Sequence, residues 1–95
     1  MYRAETNQLH QIARASTFRM IVTPHAGQRM AARDVTRFEV ERVLKTGVVV
    51  MIETDPDGAE RWRTAGRDAD GRRIEAVVEP LPPTMVVLIT VIRVS

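Results

Sequence analysis

The chain has 95 residues, 44 % apolar and 27 % charged, enough for one modest hydrophobic core and too few for two ordinary domains. It has no cysteine, which excludes disulfide staples, and two histidines without cysteine give no zinc signature. The net charge of +2 is unevenly spread: residues 1–37 carry six Arg against Glu5 and Asp34, whereas residues 38–95 carry eight cations against ten acids, a division that gives a small domain one phosphate-attracting end.

Residues 1–5 contain no apolar signal core. The longest apolar run, residues 85–92, is interrupted by Thr90 and suits a buried strand rather than a membrane span. A cytoplasmic protein without membrane association is therefore expected.

Residues 3–15 read as a weak helix whose only apolar stripe is Leu9, Ile12 and Ala13, ended by Ser16 and Thr17. Residues 1–17 are accordingly expected to form a helical appendage to an α+β domain over 18–95. Residues 18–22 alternate as a short strand, with Phe18, Met20 and Val22 on one side. Thr23-Pro24 then opens a helix: a hydroxyl cap is followed by a proline whose missing N–H costs nothing at the first position. That helix should end near Ala32 or Arg33.

After the link Asp34-Val35, Thr36 and Glu39 have the spacing of a capping box, and Val35 and Val40 that of a hydrophobic staple. Val40, Val43 and Leu44 form the buried stripe of this helix, and Gly47 is expected as its left-handed cap.

Four strands follow, over 48–54, 60–67, 73–79 and 85–94. A turn at 55–58, a hairpin signal at Asp70-Gly71 and a proline-rich connection over 80–83 separate them. The last strand lacks polar alternation, which predicts a central position covered on both faces. The expected architecture is α+β: N-terminal helices packed on a C-terminal antiparallel four-stranded sheet, with the first short strand available to an edge.

His25, Arg29 and Arg33 lie four residues apart, so on a helix they form one slanted stripe about 12 Å long. Such a stripe has two readings. It is the solvated outer face of an amphipathic helix, or it is a phosphate-binding surface, with forked guanidinium donors and an imidazole suited to proton transfer near neutral pH. On the sheet, Arg61, Arg63 and Arg67 share one strand face and would extend a basic surface. Glu75 and Glu79 share a face with Arg73, where cross-strand ion pairing is the simpler account. Thr90 reads as a structural threonine, and Trp62 as core rather than a stacking platform. The Asp55–Gly58 and Asp68–Gly71 segments lack the ligand count of a calcium loop and read as turns. Ser16 and Ser95 are too peripheral for a serine triad, and no glycine-rich phosphate loop is present.

The run Thr23-Pro24-His25-Ala26-Gly27-Gln28-Arg29-Met30-Ala31-Ala32-Arg33-Asp34-Val35 resembles the T-x-H-A-x-x-R-M-x-x-R opening of a small bacterial domain family of unknown function. The resemblance covers about residues 18–94, and the capped helix, glycine and strand meander continue the pattern. That family is similar in layout to the RelE/ParE and BrnT toxins and to a wider group of metal-independent ribonuclease folds. The resemblance implies an RNA-directed activity without cofactor or metal, and often an antitoxin partner. It further implies His25 as general acid or base on the ribose 2′-hydroxyl or leaving oxygen, with Arg29 and Arg33 neutralising the phosphate. Arg61 or Arg67 would face them across the site.

Three functions are thus expected in turn. The first is a toxin-like RNA-cleaving enzyme in which His25, Arg29 and Arg33 converge on a cleft shared with the sheet. The second is a non-catalytic RNA- or protein-binding module using the same stripe. The third is an oligomeric adaptor joined through the first helix or a sheet edge.

Overall fold

The computed structural model describes residues 2–93. Among these, the helices are α1 (Arg3–Arg14), α2 (Pro24–Ala32) and α3 (Arg37–Thr46). The strands are β1 (Arg19–Val22), β2 (Val48–Thr54), β3 (Glu60–Arg67), β4 (Arg73–Leu81) and β5 (Met85–Arg93). The fold is α+β, with all three helices on one side of a single sheet.

Strands β2 to β5 form an antiparallel meander, but the sheet has five strands, in the order β1-β5-β4-β3-β2. The expected four-stranded antiparallel sheet is corrected on this point. β1 runs parallel to β5, in register from Arg19 opposite Met85 to Val22 opposite Leu88. The physical reason is that β5 is too apolar to leave an edge open, and the short alternating β1 covers it.

Pairing on both edges makes β5 an inner strand, yet helices cover only one of its faces. Val86, Leu88 and Val91 point into the core, whereas Met85, Val87, Thr90 and Ile92 lie half-buried on the other side. The expectation that both faces would be covered does not hold.

The core forms between this sheet and the helices. Met20, Trp62, Ile74, Ala76, Val78, Val86 and Leu88 from the strands meet Ala26 of α2 and Val40, Val43 and Leu44 of α3. Leu9, Ile12 and Ala13, the apolar stripe of α1, are buried in the same cluster. Polar contacts add to these three apolar residues. His10 Nε2 donates to the Gly47 carbonyl at 2.7 Å, and Arg14 donates twice to the Lys45 carbonyl at 2.7 and 3.1 Å. These donors satisfy carbonyls left open at the C-terminal end of α3 and complement its dipole.

The helix boundaries follow local chemistry. The Thr36 hydroxyl accepts from Glu39 N, while a Glu39 carboxylate oxygen accepts from Thr36 N at 3.0 Å, completing the capping box. α2 ends in a Schellman motif, with Val35 N donating to Met30 O and Asp34 N to Ala31 O. Asp34 takes the left-handed position, at φ 55°, a role short polar side chains tolerate better than most.

Gly47, expected in that conformation, has instead an extended backbone at φ −82° and ψ −171°. Its requirement is space: a Cβ would collide with the carbonyl oxygens of Val43 and Ala65.

β4 continues through Pro80 to Leu81, past the expected strand end at 79. Proline fits there because the β3 ladder reaches only Val78, so Pro80 pairs with β5 alone.

Candidate functional site

α2 is anchored at its first residue. The Thr23 hydroxyl accepts from Ala26 N at 3.1 Å and donates to the Leu88 carbonyl at 3.0 Å, which ties the start of the helix to β5. Ala26, one residue beyond His25, is fully buried, so the helix cannot roll on the sheet and His25 faces outward.

Along the outer face, His25 and Arg29 are exposed and Arg33 is half-buried. Arg33 is the C-terminal cap of α2 rather than a member of its regular turns. The stripe therefore runs the length of the helix, with the imidazole near the positive end of the dipole and the guanidinium groups near the negative end. Cations are favoured at that negative end, which is a structural reason for arginine there.

His25, Arg29 and Arg33 form no side-chain hydrogen bond and no ion pair with another described residue. Six other arginines are committed. Arg37, Arg61, Arg63, Arg72, Arg73 and Arg93 each lie within 3.8 Å of a carboxylate oxygen. Arg33 Nε is buried without a partner.

The structure does not bring Arg61 and Arg67 to this stripe. Their neighbour Trp62 points into the helix-covered core, and the alternation of β3 sets Arg61, Arg63 and Arg67 on the opposite face of the sheet. Arg61 lies 3.7 Å from Asp55, and Arg67 donates to the Gly71 carbonyl at 3.3 Å. On the same face Glu75 pairs with Arg63 and Arg73.

Three cavities lie elsewhere. One is lined by Tyr2, Arg3, Thr6 and Val48; another by residues of β2, β3 and β4; a third by Phe38, Glu41, Arg42, Lys45 and Thr46 of α3. None of the three includes His25, Arg29 or Arg33.

Trp62 is 4 % exposed, with its indole N–H donating to Glu60, so it offers no face to a base. Among the described residues no group of three His, Asp or Glu side chains is placed to hold a metal ion. No helix among them is long and apolar enough to cross a membrane.

A polar cluster that local sequence patterns do not reveal lies at the far end of β5. Arg93 Nη2 lies 3.2 Å from Asp68 Oδ2 and 3.8 Å from Glu39 Oε2, and donates to the Asp34 carbonyl at 3.1 Å. It joins the α2–α3 link, the first turn of α3 and the β3–β4 turn. The Thr36 backbone N–H does most to hold the Glu39 carboxyl below its ordinary value, against partial burial, with Ala69 N–H, the Thr36 hydroxyl and Arg93 adding to it. For Asp68, burial is the largest influence and pushes upward. The backbone N–H groups of Arg72 and Asp70, together with Arg93, outweigh it and leave the carboxyl below its usual range.

Over residues 22–93 the sequence matches a family described as a domain of unknown function, DUF4258. The chain belongs to that family. The matched region begins at the last residue of β1 and ends at Arg93, so it takes in the α2 stripe and the Arg93 cluster. α1 lies outside the DUF4258 match although it shares the core. No curated protein and no solved structure matches the chain.

Proposed function

We propose that the outer face of α2 binds the phosphate backbone of RNA. The observation that carries this reading is the free state of Arg29 and Arg33. Among the described residues they have no carboxylate partner, a state they share with Arg3, Arg14, Arg19, Arg42 and Arg67, but only these two lie on one helix face with an exposed histidine. An open cationic face suits an extended polyanion better than a small enclosed substrate, and guanidinium forks match phosphate oxygens. The basic balance of residues 1–37 supports the same orientation.

Cleavage is the second reading, favoured by His25 on the same stripe with no competing partner among the described residues. A phosphodiester gripped by Arg29 and Arg33 would lie along a helix that also carries an imidazole. His25 would then take the proton of the ribose 2′-hydroxyl as its oxygen attacks phosphorus, or give a proton to the departing 5′ oxygen. This is the chemistry expected of a RelE/ParE- or BrnT-like toxin, and in that setting an antitoxin protein is a second partner.

Binding of single-stranded RNA across a salt series tests the first reading. Affinity should fall with a slope of about −0.7 per phosphate contact, and Arg29→Ala or Arg33→Ala should each make the slope shallower by about one contact. Affinity independent of salt would refute it. Cleavage is tested by RNA integrity in EDTA. His25→Ala should lower the rate by about 10²–10⁴-fold, and cleavage untouched by the substitution would remove the imidazole from the mechanism.

A further inference from the structure

We infer that the uncovered face of the sheet is the contact surface of a symmetric dimer of this chain. This goes beyond the RNA reading and uses the opposite side of the molecule, leaving the α2 stripe of each copy open.

The face is apolar where β1 and β5 meet. Arg19, Met85 and Leu81 form one row across β1, β5 and β4, and Ile21, Val87 and Glu79 form the next. Ile21 is 45 % exposed and Leu81 38 %, and no helix lies over either. Ile21 and Leu81 are joined across β5 by the half-buried Met85 and Val87, and a continuous apolar strip on an uncovered sheet face marks a surface that buries itself against something.

The charges at the corners identify the occupant. Arg19 and Glu79 form no ion pair with any described residue, whereas Glu75, on the same face of β4 as Glu79, pairs with Arg63 and Arg73. Arg19 and Glu79 occupy opposite corners of the two-row patch, and Ile21 and Leu81 occupy the other two. Two strand spacings of about 4.8 Å and a two-residue step of about 6.8 Å make the patch roughly 10 by 7 Å, so a two-fold along one diagonal carries each remaining corner to within about 4 Å of the other. A two-fold axis lying in the interface along the Ile21–Leu81 diagonal therefore brings Arg19 within reach of the partner's Glu79, and Glu79 within reach of the partner's Arg19. Ile21 and Leu81 each meet their own copies on the axis. This is the self-complementarity an isologous contact requires, with apolar residues at the centre and two equivalent ion pairs at the rim. The strands of the two sheets cross at roughly 70° in this arrangement, nearer the orthogonal than the aligned way sheets pack face to face.

Sedimentation equilibrium over a micromolar concentration series, with far-UV circular dichroism as the folding control, tests the assignment. The wild-type chain should show a monomer–dimer equilibrium. Arg19→Glu and Glu79→Arg each set like charges opposite one another twice per dimer, and each should weaken association about tenfold or more. The double variant Arg19→Glu/Glu79→Arg restores opposite charges and should recover most of the lost affinity. Ile21→Asp should abolish the dimer while the monomer stays folded, because this side chain lies outside the core. A wild-type chain that stays monomeric throughout would overturn the inference. So would a dimer indifferent to the two reversals and to Ile21→Asp, or single reversals that the double variant does not rescue.

Discussion

Arg93 and Asp68, 25 positions apart, meet at 3.2 Å, and the Asp68 side chain is almost wholly enclosed. Around this pair the end of β5, the β3–β4 turn and the cap of α3 are held together. The two carboxylates of the cluster, Asp68 and Glu39, are held below their ordinary values. A group depressed in the folded state stabilises it above its unfolded value, and that contribution is lost as pH falls through the folded value. The melting temperature should therefore be flat above the carboxylate range and fall as the pH drops below it. Asp68→Asn combined with Glu39→Gln should lower the neutral-pH melting temperature and flatten the acid limb. Thermal melts from neutral to strongly acidic pH would show this. A double variant with an undiminished acid limb would assign the loss to other carboxylates.

Leu9 lies in the common core although the family match begins well after it. Leu9→Ala should cost about 2–5 kcal/mol in urea unfolding, the range for emptying a buried leucine site. A much smaller value would mean that α1 docks only superficially. Arg14→Ala, which removes two donors to the Lys45 carbonyl, should have a smaller effect in the same direction.

Gly47→Ala tests whether space or backbone conformation fixes the residue. The φ of −82° suits alanine, but the added methyl meets the Val43 and Ala65 carbonyls. Overpacking of this kind costs about 1–3 kcal/mol, so the variant should be clearly less stable than wild type. A neutral or stabilising result would show that the helix end can shift away from β3.

Thr64 is fully buried on β3, and its hydroxyl has no hydrogen-bond partner among the described residues. Thr64→Val keeps the shape and removes the unpaired group, so stability should rise by about 1 kcal/mol. Destabilisation would reveal a partner for the hydroxyl.

Where local chemistry is decisive, the sequence can be read closely. Thr23-Pro24, the Thr36–Glu39 capping box and the glycine turns at Gly58 and Gly71 lie where their side chains and φ values require. Long-range relations escape such reading. Nothing in Arg19–Val22 states that its partner is Met85–Leu88 or that the pairing is parallel. Arg93 and Asp68 look like unremarkable charges until the turn brings them together. The α2 stripe is legible from its spacing of four. That Arg61 and Arg67 belong to the other face depends on which side of β3 the helices cover, and the alternation of β3 is compatible with either side. Exposed Phe38 likewise cannot be told from a core aromatic by residue type.

The parallel pairing of β1 with β5 has a consequence for biogenesis. During translation, Arg19–Val22 emerges long before Met85–Leu88, so the first strand waits for a partner while α2, α3 and the meander are made. Closing so wide a loop is entropically slow, which makes the β1–β5 pairing late among the contacts of this sheet. Until the ribosome has delivered β5, the nascent chain carries an unsatisfied strand, a natural target for chaperones that recognise extended aliphatic segments.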